Sequence, residues 1–245
     1  MKSKFWIIPL VLVLFSCDGK EENKEKKKSN KGKVTAEVSE PKGEVNLDYF
    51  YPIQPKPLVY VYSLNNNPLT ETFLKITTGN SKSGKIMMLE TYNSDMVFVE
   101  GLTLDINNGL SVLNHSVASQ GTKFESNITK KEFIPVNDKD TSAFIVDFPT
   151  ENDSIVMLIE RYQAYGDKYN LNIMDSISNC LEIKEFWRVT SMNVATRKEN
   201  ERSFDVSSFY AKGIGKVAYL PTGETDTMKL VRQISIEDWN TLVQQ

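Results

Sequence analysis

From residue 58 onward the chain is a succession of short runs in which apolar and polar side chains alternate. Runs at 58–62, 73–76, 86–92, 96–104, 110–119, 123–136, 143–148, 155–164, 180–194, 203–210, 215–220 and 228–234 are rich in β-branched and aromatic residues, which suit a pleated, half-buried surface. Turn-forming clusters separate them, among them Asn65-Asn66-Asn67-Pro68, the 80–84 segment, Asn107-Asn108-Gly109, Asn137-Asp138-Lys139-Asp140 and Glu151-Asn152-Asp153. Parallel strands would need a crossover helix between each pair, and helical periodicity is scarce. The pattern predicts a mainly β fold: a single antiparallel curved sheet, shaped as a half-open barrel or a sandwich. Ser235-Ile236-Glu237-Asp238 reads as a capping box and predicts a short C-terminal helix through Trp239 and Leu242. The 169–178 segment is the other place where a short helix fits.

The N-terminus has a different pattern. Lys2 and Lys4 precede an unbroken apolar run of eleven residues, 5–15. A membrane-spanning helix needs about 20 apolar residues, so the run reads as the hydrophobic part of an export signal. Leu14-Phe15-Ser16-Cys17 resembles a lipobox, which implies cleavage before Cys17 and acylation of its thiol, palmitate being a typical chain. Phe15 is bulkier than the usual residue at that tolerant position. Each buried methylene contributes about 0.8 kcal/mol, so several acyl chains on Cys17 would tie the protein to a membrane permanently. Lys20-Glu21-Glu22 resembles the surface-export signal of lipoproteins of the Bacteroidota. That resemblance implies the outer face of the outer membrane, the periplasmic face being the alternative.

Between residues 18 and 44 lie eight lysines, seven acids and no aromatic residue. Such a segment cannot bury enough apolar surface to offset chain entropy, and it reads as a solvated tether. The resulting organisation is a signal peptide at 1–16, lipidated Cys17 and tether at 17–45, and one β domain at 46–245. From residue 45 on, 19 basic side chains face 25 acidic ones. A nucleic-acid binder would show the opposite balance, so nucleic acid is excluded as a partner.

Candidate chemistry in the domain is sparse. Gly79-Asn80-Ser81-Lys82-Ser83-Gly84-Lys85 approaches a phosphate-binding loop, but Ile86 stands where a magnesium-holding hydroxyl is required. Asp105-Ile106-Asn107-Asn108-Gly109 starts like a calcium loop whose glycine comes one position early; Asn-Gly is a hairpin turn in its own right. The single histidine, His115, and the single other cysteine, Cys180, do not supply a zinc ligand set. Neither has a local sequence that marks a nucleophile, and Cys180 in Asn179-Cys180-Leu181-Glu182-Ile183 reads as a small buried apolar residue. Asp138 and Asp140 lie in a turn that reads as solvated. No metal, cofactor or catalytic residue is expected. The one candidate binding loop is Tyr162, Tyr165 and Tyr169, because the Gly166-Asp167 centre suggests a loop tip and exposed aromatic rings can stack on sugars or partner proteins.

Three segments carry a wider likeness: Tyr51-Pro52-Ile53 leading into Val59-Tyr60-Val61-Tyr62, then 179–183, then Phe209-Tyr210-Ala211-Lys212-Gly213-Ile214-Gly215-Lys216-Val217. Together they resemble Bacteroidota surface lipoproteins with a curved, half-open β-barrel domain, an uncharacterised family. The third segment is similar to a glycine-bent hairpin near the end of such domains, with Lys216 in place of an aliphatic residue; in the first strand Val or Tyr replaces a Trp. The resemblance implies a fold and an address. Three functions remain open: a non-enzymatic accessory protein that binds an envelope protein or glycan, a carrier of an acyl chain or other apolar ligand inside an open barrel, and a hydrolase whose carboxylates are not legible.

Overall fold

The computed structural model describes residues 47–244, apart from 83, 108, 120, 136–139, 153 and 224–225. Cys17, Lys20, Glu21, Glu22, the signal segment and the tether lie outside the described residues, as does Asp138. Thirteen strands form one antiparallel sheet: β1 (Leu58–Leu64), β2 (Thr72–Ser81), β3 (Gly84–Tyr92), β4 (Phe98–Asp105), β5 (Ser111–Ser119), β6 (Thr122–Glu125), β7 (Asn127–Lys131), β8 (Thr141–Pro149), β9 (Ile155–Ile173), β10 (Ser176–Asn193), β11 (Lys198–Ala211), β12 (Gly215–Pro221) and β13 (Met228–Ile234). One helix, α1 (Ile236–Val243), follows. The sheet curls into a nearly closed barrel.

Closure has a definite mechanism. The sheet order runs from β6 through β5 to β1, then β13 back to β7, so its two ends are consecutive in the chain. One extended segment, 122–131, pairs by its first half with β5 and by its second half with β8. The switch falls at Ser126, whose N–H still donates to the His115 carbonyl at 3.0 Å. Beyond it a bridge between Ser111 and Glu132, and the Phe133 N–H to Leu110 carbonyl bond, hold β5 beside the other edge. The sequence shows 123–136 as one run because alternation of side chains does not reveal a change of pairing partner.

Alternation fixes which side chains face inward. On β1, Tyr60 and Tyr62 point into the barrel and donate their hydroxyls to the carbonyls of Ile214 and Lys216, both at 2.7 Å. Val59 and Val61 point outward, yet they are equally buried, because Trp239 of α1 covers them with Phe73. Trp239 lies 5.4 Å from the Phe73 ring and 4.9 Å from Tyr92. As the capping box predicts, Ser235 is the N-cap and accepts from the Asp238 N–H at 3.0 Å.

The chain enters at the other end. A single 3-10 turn, Leu47–Tyr49, leads into Phe50 and Tyr51, which insert into one end of the barrel. Tyr51 packs on Phe50 at 5.0 Å and Tyr60 at 5.8 Å. Its ring also lies flat against Gly215, where any Cβ would collide with it and where φ is +97°. The N-terminal strap thus plugs the barrel.

The helix expected at 169–178 is absent. Tyr169-Asn170-Leu171-Asn172-Ile173 alternates as a strand, and Met174 and Asp175, at φ 46° and 63°, form a two-residue hairpin turn into β10. Both central residues take positive φ, the geometry that suits the right-handed twist of the flanking strands. β9 and β10 consequently run to 19 and 18 residues and project beyond their neighbours.

Candidate functional site: a polar barrel lumen

The inner face of β8 to β12 carries a ladder of cross-strand rungs. One rung is Phe144, Arg161, Trp187 and Phe204; the next is Ser142, Gln163, Glu185, Val206 and Pro221. A third holds Tyr165, Ile183, Ser208 and Tyr219, and Tyr210 with Lys216 completes the set. An ordinary barrel core would fill these positions with aliphatic side chains.

Four of the ladder's polar groups are buried with an atom left unpartnered: Arg161 Nε, Gln163 Nε2, Glu185 Oε1 and Ser208 Oγ. Each such group costs about 1–3 kcal/mol, more if charged. The Arg161 guanidinium is sandwiched among the rings of Phe133, Phe144 and Trp187, at 4.5, 5.1 and 5.3 Å, and otherwise donates only a long 3.4 Å bond to the Phe133 carbonyl. Glu185 accepts from the Trp187 indole N–H at 3.0 Å through its other oxygen. Ser142 donates to Gln163 Oε1 at 3.1 Å. Gln163 and Glu185 are neighbours on one rung, yet their free atoms do not meet.

Lys216 reaches over this ladder, its ammonium 5.9 Å from the Tyr210 ring centre and 5.8 Å from that of Tyr219. Among the described residues no carboxylate lies within 4.0 Å of it. Burial holds the Lys216 amine below its ordinary value, and the charge of Arg161 adds to this, against the opposing pull of Glu185 and Glu100. The residue as a whole is half-buried.

Across the lumen, on β4 and β5, Glu100 Oε1 lies 3.0 Å from His115 Nε2, and His115 Nδ1 lies 2.7 Å from Ser126 Oγ. The imidazole is fully buried, edge-on to Phe144 at 5.4 Å, whereas the Glu100 side chain keeps 23% of its surface. The trio ties the point where the chain changes partners to β4 and β5. Burial would raise the Glu100 carboxyl, but the His115 hydrogen bond and the charges of His115, Arg161 and Lys216 hold it below its ordinary value. A carboxylate with a lowered folded pKa adds stability that is complete above about pH 4.5 and is lost as pH falls through the lowered value. Thermal melts from pH 6 to 3 should show a wild-type drop that is smaller in Glu100→Gln.

β11 overshoots β12 at one edge of the ladder. Only Val206–Ala211 of β11 pair with β12, and Lys198 to Asp205 are exposed on both faces. Beside this overhang Trp187 and Phe204 stack on each other, 6.2 Å apart and 6° from parallel, Phe204 with 37% of its surface exposed. At the plugged end, a separate recess of about 440 Å³ is lined by Phe50, Tyr51, Pro52, Ile53, Met87 and Ile106, with Asp48 and Lys212 at its edge.

The three tyrosines of the expected binding loop do not form one. All lie within β9, and Gly166-Asp167 is a bulge rather than a loop tip. Glu182 caps the bulge by accepting the Asp167 N–H at 3.3 Å, in space that a side chain at Gly166 would fill. Tyr165 points inward and donates to the Pro135 carbonyl at 3.0 Å. Tyr162 is on the outer face, donating to Glu160 at 2.9 Å beside Phe186 and Arg188, and Tyr169 stands edge-on to Phe209 at 5.6 Å. Cys180 is buried, its thiol pushed up by desolvation and 3.4 Å from the Ser178 carbonyl. Among the described residues, no group of three or more His, Cys, Asp or Glu is arranged to hold a metal ion.

Two solved structures are similar to this chain. One is a candidate lipoprotein from Parabacteroides distasonis, at 9% identity and a TM-score of 0.43, covering 76% of this chain and 98% of its own. The other is a candidate exported protein with a YmcC-like fold from Bacteroides fragilis, at 10% identity and a TM-score of 0.43, covering 76% and 99%. No protein-family model and no curated protein matches.

Proposed function

We propose that the protein is an envelope lipoprotein, anchored through Cys17 on the outer membrane and exposed at the surface through Lys20, Glu21 and Glu22, whose domain binds a polar ligand in its lumen without transforming it. The observation that supports the binding role is the ladder of buried polar atoms without partners, Arg161 Nε, Gln163 Nε2, Glu185 Oε1 and Ser208 Oγ, below a rim of half-exposed aromatic rings. A fold tolerates such atoms when another molecule satisfies them. An acyl chain would leave them unsatisfied and would surround Lys216 and Arg161 with hydrocarbon, at a cost of several kcal/mol for each charge. The apolar recess at the plugged end is the one feature that favours the carrier reading.

Native mass spectrometry on protein extracted from its own membranes separates the two. The binding reading expects a small polar molecule that is retained by the wild type and lost from Glu185→Gln. A retained fatty acyl species, indifferent to Glu185→Gln, would sink it in favour of the carrier.

A further inference from the structure

Over residues 198–205, β11 has β10 on one side and, among the described residues, no strand on the other. All of these residues are exposed. The Asp205 carbonyl accepts from the Thr222 N–H at 2.8 Å on the β12 side, whereas the Asn200 carbonyl accepts from Ser191 Oγ of β10 at 3.5 Å. By alternation, Glu199, Glu201 and Ser203 turn their N–H and C=O groups to the open side, a template on which an extended segment can add as a further strand.

Charge on this edge is sorted by face. Lys198, Asn200 and Arg202 share the side of Phe204, and Glu199, Glu201, Ser203 and Asp205 share the opposite one. Among the described residues, none of the charged side chains in 198–205 has an ion-pair partner. A second copy is a poor occupant, because two β11 edges paired about a two-fold axis set each face against itself, acid opposite acid. The matching strand carries lysines toward one face and acids toward the other.

The tether contains such a segment, 21–28, in which Lys24, Lys26 and Lys28 alternate with Asn23, Glu25 and Lys27. Laid parallel to β11 with Lys24 opposite Glu201, it sets Glu21 opposite Lys198, Glu25 opposite Arg202 and Lys28 opposite Asp205. Lys27 then falls beside the Phe204 ring, and Glu22 opposite Glu199 is the one like-charged pair in this register. Reach is ample. The Asp48 carbonyl accepts from the Gly213 N–H at 2.7 Å, so the chain enters the domain at the far end of β11, the direction in which a parallel segment points. Residues 29–47 can span roughly 60 Å, against about 26 Å along β11 from Asp205 to Gly213. Exposed ion pairs are individually weak, but a segment on the same chain is present at a high effective concentration, so weak pairing is enough.

We propose that residues 21–28 of this chain dock as an added parallel strand on the 198–205 edge of β11. Docking leaves only residues 17–20, roughly 13 Å of chain, between the lipidated cysteine and the domain. Release lets the domain stand off by the whole tether, and ionic strength sets the balance between the two. The reading of the lumen has no part in this.

Residue-resolved hydrogen exchange on the detergent-solubilised mature protein tests the contact. At low ionic strength the amides of Glu199, Glu201 and Ser203 should exchange at least about tenfold more slowly than in about 1 M NaCl, where charges are screened within about 3 Å. Lys24→Glu with Lys28→Glu should give the fast exchange even at low salt, and adding Glu201→Lys with Asp205→Lys should restore protection. Lys26→Cys and Ser203→Cys, opposite each other in this register and about 4.8 Å apart, should close into an intrachain disulfide under a mild oxidant. Fast exchange in the wild type at low salt would overturn the proposal. So would protection that persists in Lys24→Glu with Lys28→Glu, which would assign the edge to a second copy or another partner, and so would a disulfide that forms only between chains.

Discussion

Tyr51→Ala should cost about 3–5 kcal/mol, the range for emptying a buried aromatic site. The ring is 5% exposed, packs on Phe50 and Tyr60, and fills the space left by the missing side chain of Gly215. For a domain of this size 1 kcal/mol lowers the melting temperature by about 2–4 °C, so the melt should fall by roughly 6–20 °C. Tyr51→Phe keeps the ring and should cost only the hydroxyl's interactions, about 1 kcal/mol. Calorimetric melts of the two variants decide whether the strap is a structural plug. Equal, small losses would mean that the strap merely lies against a barrel that is stable without it.

Cys17→Ala should move the protein from the membrane fraction to the soluble fraction. The expectation follows from the acyl chains that the lipobox-like sequence implies, and no helix among the described residues is long and apolar enough to replace them. Fractionation after a salt and carbonate wash measures it. A variant still in the pellet would show that the domain or the tether holds the membrane by itself. Replacing Lys20, Glu21 and Glu22 leaves the anchor intact and should remove the protein from protease reach on intact cells.

The strands were legible because alternation survives wherever one face is buried and the other wet. Even β1, apolar on both faces, read as a strand from its β-branched and aromatic content. The tip of the long hairpin is the exception. Met174-Asp175 lacks the Asn-Gly signature that usually marks a two-residue turn, and Tyr169 to Ser178 then looked like room for a helix. The lumen was not legible at all. Arg161, Glu185 and Lys216 belong to three separate runs, and each could have been the solvent-facing member of its strand. Only register and curvature turn them to the same interior. One signal was available: Lys216 breaks the aliphatic pattern of the hairpin it resembles, and it is the ammonium at the centre of the site. Tyr162 and Tyr165 illustrate the converse, since three residues apart on a strand means opposite faces.

The central claim, that the barrel interior is an open polar site, rests on whether solvent-sized molecules reach the rim of the ladder. Acrylamide quenching of the mature chain tests it directly, because from Cys17 onward only two tryptophans occur: Trp187 on the ladder, and Trp239 of α1, buried against the outside of β1 at 4% exposure. The difference between wild type and Trp187→Phe isolates the rim signal. Trp187 should be quenched several times more readily than Trp239. A Trp187 as sheltered as Trp239 would mean a sealed barrel, and the lumen would be a polar core without a ligand.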